Sequence, residues 1–152
     1  MQNKKSIWST IILIATFVSL ALLIASIVVT AVAIPTAMEA AKQQAIASGA
    51  DQQAVELAVT IAVGAIIVAL VIGSIFDVLK IVGGFLFSLK GRWGIFCIVV
   101  AILSLAGAIG SIATSIQNKL GVGAIIIDSV TAAVNVVLVV ACIMHYKENK
   151  AA

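Results

Sequence analysis

A chain of 152 residues with 63% hydrophobic and 10% charged residues lies far from the ~45–50% apolar and ~25% charged make-up of soluble domains. A soluble fold of this size cannot hide that much apolar surface and a bilayer can, so the composition points to a single integral membrane domain over residues 1–152. The net charge of +3 comes without an Arg/Lys cluster interleaved with aromatics, which argues against a nucleic-acid partner.

After a polar head with Lys4 and Lys5, residues 7–34 form an uncharged run of 28 residues, about 42 Å long as a helix. Ala31-Val32-Ala33 looks like a cleavage site. A signal-peptide h-region is only ~7–15 residues long, however, so we read a retained, tilted first span. The polar stretch from Pro35 to Glu56 holds Thr36-Ala37-Met38-Glu39, which fits a capping box. It predicts a short extracytoplasmic helix over 37–48, stopped by Gly49, with Asp51 capping the next helix.

Residues 57–76 are the second uncharged run. Ala58, Ala62, Ala65, Ala69 and Gly73 recur at helical spacing within it and make a small-residue face suited to close helix packing. Asp77 and Lys80 follow at i and i+3. We read them as an exposed pair at the interface, where such a pair contributes only ~0.3–0.5 kcal/mol. A register with the second span at about 66–89 buries both charges, but it leaves the apolar residues 57–65 outside the bilayer, so the 57–76 register is preferred. Gly83-Gly84 weakens the helix, and Phe85-Leu86-Phe87 is placed to lie back into the interface.

The short basic turn Ser88-Leu89-Lys90-Gly91-Arg92-Trp93-Gly94 separates this segment from the third span, 95–116, with Trp93 where an interfacial aromatic belongs. Gly107 and Ser111 supply a further small-residue packing pair in that span. A polar turn over 117–123 leads to the fourth span, 124–144, and a polar tail. The fold class is therefore an all-α four-helix transmembrane bundle. Lys4, Lys5, Lys80, Lys90, Arg92, Lys147 and Lys150 fall on one side, and Lys42 and Lys119 on the other. The basic asymmetry places both termini in the cytoplasm. A shift of 85 residues aligns Trp8 with Trp93, Ser19 with Ser104 and Ile27 with Ile112. That is a weak internal repeat relating the first and third spans, without a counterpart in the second and fourth.

No metalloprotease, nucleophile-elbow, Walker or dinucleotide motif is present, so we expect no enzyme, no cofactor and no metal site. His145 reads as a helix-end residue favourable to the dipole. Cys97 and Cys142 are far apart in sequence and form no CxxC. They fit neither a disulfide framework nor a zinc site, and a disulfide is not expected in a reducing cytoplasmic setting. The candidate site is an intramembrane polar face of Asp128, Thr131 and Asn135. Ionisable residues within spans often serve ion or proton paths. Asp128 lies only ~6 Å inside the span, however, which favours a shallow carboxylate reaching water or capping the turn. Asn135 is deeper and suited to an interhelical hydrogen bond.

The pattern from Val82 through Gly83-Gly84-Phe85 to Lys90-Gly91-Arg92-Trp93-Gly94-Ile95 resembles small uncharacterised four-helix (tetraspan) membrane proteins of Gram-positive bacteria. That resemblance implies a four-span topology and no defined activity. The pattern differs from claudins, which carry a Trp and a Cys pair in the first outer loop. It differs from tetraspanins, which need a large Cys-rich second loop, and from small multidrug exporters, which need a Glu in the first helix. The functional expectation is a non-enzymatic accessory or interaction protein of the bacterial cytoplasmic membrane. Its partners would be the lipid bilayer and a second copy or another membrane protein, and immunity against a membrane-active toxin is one role of this kind. The rival expectation is a small transporter or channel using the Asp128, Thr131 and Asn135 face.

Overall fold

The computed structural model describes residues 6–117 and 122–151. They form four helices, α1 (Ile7–Ala47), α2 (Gln52–Lys90), α3 (Gly94–Gln117) and α4 (Val122–Ala151), and no strand occurs among the described residues. All four are long and apolar enough to cross a membrane. At 1.5 Å per residue, α1 and α2 are each about 60 Å long and α3 about 36 Å. A hydrocarbon core of ~30 Å therefore contains nearly all of α3 but only part of α1 and of α2. The chain divides into two compact units: Ala25–Ser74, and Met1–Ile24 together with Ile75–Ala152.

The Ala25–Ser74 unit is the C-terminal part of α1 and the start of α2, joined by a tight turn. The separate short helix expected after Pro35 does not exist, because α1 runs through Pro35 and ends at Ala47. Proline removes one i→i−4 hydrogen bond. The residues after it, Ala37 to Ala47, are almost all strong helix formers and carry the helix past the defect. Thr36 and Glu39 consequently lie mid-helix and cap nothing.

The stop and restart fall where the local chemistry sets them. Gly49 has φ +76°, its N–H donates to Ile46 O (3.0 Å), and Ala50 N–H donates to Ala45 O (3.1 Å). This pair of bonds is a Schellman motif. Asp51 Oδ1 then accepts from Ala54 N–H at 2.8 Å, capping α2. Asp51→Ala should therefore cost about 1 kcal/mol and fray the first turn of α2, read as faster amide exchange at residues 52–55. Along the small-residue face of α2, Ala58 and Ala62 are half-buried, and Ala65, Ala69 and Gly73 are exposed. A Cβ added at Gly73 meets nothing within 4 Å, so that end of the face is open in a single chain.

The larger unit is a four-helix arrangement. Its core holds Ile12 and Ala15 of α1, Phe87 of α2, Cys97 and Ala101 of α3, and Leu138, Ala141 and Cys142 of α4. The i, i+3 and i, i+4 spacings put each set on one face of its helix. Lipid is as apolar as these side chains, so close packing and interhelical hydrogen bonds hold the unit together. Gly83 and Gly84, which the sequence suggests weaken α2, are contact points, and α2 stays helical to Lys90. A Cβ at Gly84 would overlap Thr16 Oγ1, and one at Gly83 would come within 3.3 Å of the Phe96 ring. Phe87 is fully buried rather than interfacial, and Phe85 meets Phe17 edge to face at 5.1 Å.

Two serines clasp α1 to α2. Ser9 Oγ donates to Ser88 O and Ser88 Oγ donates to Ser9 O, each at 2.7 Å. The basic turn is sharp, with positive φ at Gly91 (62°) and at Trp93 (71°). Gly94 follows because a Cβ there would meet the Phe87 ring at 2.8 Å and Tyr146 at 2.9 Å. Much of the outer surface of α3 and α4 is exposed Ile, Leu and Val, among them Leu103, Ile109, Val136, Val137 and Val140, as lipid-facing helices require.

Candidate functional site

The site is built on the antiparallel register of the larger unit. Cys97 meets Cys142, with the sulfurs 2.9 Å apart, and Ser111 Oγ donates to Asp128 at 2.9 Å. Ser104 on α3 and Asn135 on α4 are each seven residues from both of these contacts, so they mark one level midway along the pair. On the other two helices, Thr16 packs on Gly84. Ser19 is one turn beyond Thr16, and Lys80 is one turn back from Gly84. The helices run in opposite directions, so those two steps lead the same way and bring Ser19 level with Lys80.

Lys80 is 2% exposed. Its Nζ donates to Asp77 Oδ1 at 2.7 Å and to Asn135 Oδ1 at 3.1 Å. The ion pair expected at i and i+3 is present, but it is not an exposed interfacial pair. The Asp77 side chain retains 29% exposure, and the lysine is enclosed between α2 and α4. The physical reason lies in the pair itself. Asp77 cancels the charge of Lys80 one turn away, so the apolar run continues through Leu79, Ile81 and Val82 into the bundle without an uncompensated ion. Besides His145 Nδ1, three further polar atoms among the described residues of this unit are buried without hydrogen-bond partners: Ser19 Oγ, Ser104 Oγ and Asn135 Nδ2. By the register above, all three share the level of Lys80. Each of the four helices thus contributes a polar side chain to one layer.

Asp128, Thr131 and Asn135 of the expected face have different hydrogen-bond partners. Asp128 is held by Ser111, and the Thr131 hydroxyl bonds back to Ile127 O of its own helix at 2.8 Å. Only Asn135 joins the central layer. Ser111 is used as a hydrogen-bond donor, and a Cβ at Gly107 would meet nothing within 4 Å. His145 does not mark a helix end, since α4 continues to Ala151. It is buried, 4.8 Å from the Phe87 ring by centroids. Its Nδ1 has no hydrogen-bond partner, and the Glu148 carboxylate lies 3.9 Å away. Glu148 also accepts from Ser6 Oγ, tying the start of α1 to the tail of α4.

No group of three His, Cys, Asp or Glu side chains among the described residues is placed to hold a metal ion. Two grooves in this unit lie elsewhere. One of about 300 Å³ is wholly apolar, between Ile11, Ile14, Ala15 and Val18 of α1 and Ala133, Val134 and Val137 of α4. The other, about 400 Å³, lies beside the basic turn between Trp93, Phe96, Tyr146 and Lys150. Lys80, Asp77 and Asn135 line neither. The arrangement can therefore join helices by charge-assisted hydrogen bonds.

Sequence reasoning weighs a buried Lys80 and rejects it because both charges sit at the edge of a complete 20-residue apolar run. The signal that could have found it is the apolar run resuming directly after Lys80. No protein-family model, no curated protein and no solved structure matches this chain.

Proposed function

We propose that this chain is a non-enzymatic accessory protein of the bacterial cytoplasmic membrane, with both termini cytoplasmic, and that it works by associating with another membrane protein or a second copy. The observation that carries the reading is the asymmetry of the central ion pair. Lys80 is enclosed and Asp77 is left 29% exposed at the middle of helices that read as spans. A carboxylate facing lipid at that depth is costly. A polar group on a neighbouring transmembrane helix would satisfy it. The open small-residue face ending at Ala65, Ala69 and Gly73 supports the same reading, because close helix approach needs such a face. The basic asymmetry of the loops supports the orientation.

The test is affinity purification of the full chain in mild detergent. The chain should elute with a second copy or another integral membrane protein. Asp77→Asn keeps an acceptor for Lys80 and removes the charge. It should weaken the association roughly 3- to 20-fold, the range of interhelical polar contacts. Recovery of the parent chain as a lone monomer would overturn the reading.

A further inference from the structure

We propose that Cys97 and Cys142 are a redox-active dithiol that closes to a disulfide and locks α3 to α4. Both are free thiols and both are 0% exposed. Their sulfurs are 2.9 Å apart, closer than the ~3.5–4.0 Å of ordinary van der Waals contact, and short of a bond length of ~2.05 Å by less than 1 Å. The distance discriminates between the uses of paired thiols. Two sulfurs on one zinc ion, each ~2.3 Å from it in tetrahedral geometry, stand roughly 3.8 Å apart. No third ligand is in place among the described residues. The pair is thus spaced for a covalent bond and too close for a bridging metal. Its surroundings, Ala101, Leu138 and Ala141, place it in the core of the larger unit, two turns along α4 from Asn135. A bond there would fix α4 against α3 and hold Asn135 in reach of Lys80.

Burial calls for an uncharged, membrane-permeant acceptor of two electrons and two protons, and an azo compound is one such acceptor. One thiol adds its S–H across the N=N bond. The second sulfur displaces the resulting hydrazine, whose departing nitrogen takes the second proton. One S–S bond replaces two S–H bonds, and the azo compound is reduced to the hydrazine.

The full chain in native membranes is treated with diamide, denatured, and labelled with a maleimide polymer that retards each free thiol on a gel. Untreated protein should carry labels on both thiols, treated protein on neither, and dithiothreitol should restore both. Peptide mass analysis of the unsubstituted chain should find the 97–142 cross-link with the loss of two hydrogens. Cys97→Ser and Cys142→Ser should each keep their remaining thiol through the same treatment. The oxidised parent should also melt roughly 5–15 °C above the reduced form, as a cross-link closing a loop of this length requires. Retention of both thiols by the parent, or equal loss of the thiol in the single variants, overturns the proposal.

Discussion

Lys80→Ala should be among the most damaging single substitutions in this protein. The lysine is 2% exposed and bonds both Asp77 and Asn135. Removing it leaves a carboxylate with no counter-ion at mid-bundle, at a cost of about 3–5 kcal/mol by comparison with other broken buried pairs. An interfacial pair would lose only ~0.3–0.5 kcal/mol, so the two placements differ tenfold in consequence. The double variant Asp77→Leu/Lys80→Met separates the charge from the packing. It removes both ions together, fills similar volume, and should recover most of the loss, because a buried pair replaced by apolar residues is often neutral or better. Thermal unfolding of the parent and the variants in mild detergent gives the comparison. A Lys80→Ala protein that melts within a degree or two of its parent would place the lysine back in contact with water.

The same pair shows where sequence reasoning stops. Four apolar runs are enough to read four spans, because the composition leaves the chain no other way to satisfy its backbone. Gly49 and Asp51 are legible for a different reason: a positive-φ stop and a carboxylate cap are local chemistry, decided within a few residues. Pro35 is equally local and misled, since its defect is outweighed by the helix formers that follow it. Lys80 was beyond local reasoning. A window of residues 57–76 satisfies the bilayer, and nothing along the chain says that α4 brings Asn135 to the far side of that helix. The thiols are a similar case. Their 45-residue separation carries no signal until α3 and α4 are set antiparallel. Then Cys97 and Cys142 at one end and Ser111 and Asp128 at the other fall into a single register, and Ser104 and Asn135 follow.

Glycines make the contrast sharpest, because regular spacing picked out Gly73 and Gly107 while contact selects Gly84. Gly84→Ala should destabilise the protein by about 1–3 kcal/mol, as overpacking does, although helix propensity alone makes the same change a gain of ~1 kcal/mol. The added methyl would overlap Thr16 Oγ1. Thr16 is 1% exposed, and its hydroxyl is bonded to Ile12 O at 2.7 Å. It is also β-branched and so restricted in χ1 within a helix, and swinging Oγ1 away from Gly84 disturbs its bond to Ile12 O. The strain therefore falls on the approach of α1 to α2. Gly73→Ala is the control, with open space around its Cβ. It should follow propensity and raise stability by ~0.5–1 kcal/mol. Thr16→Ala combined with Gly84→Ala removes both atoms nearest the clash and leaves the two Cβ atoms about 3.4 Å apart. The pair should then be more stable than Gly84→Ala alone, with a coupling of about 1 kcal/mol or more in a double-mutant cycle. Melting curves of these variants in one detergent measure the signs directly. If Gly84→Ala and Gly73→Ala move the midpoint in the same upward direction, α1 does not touch α2 at Thr16.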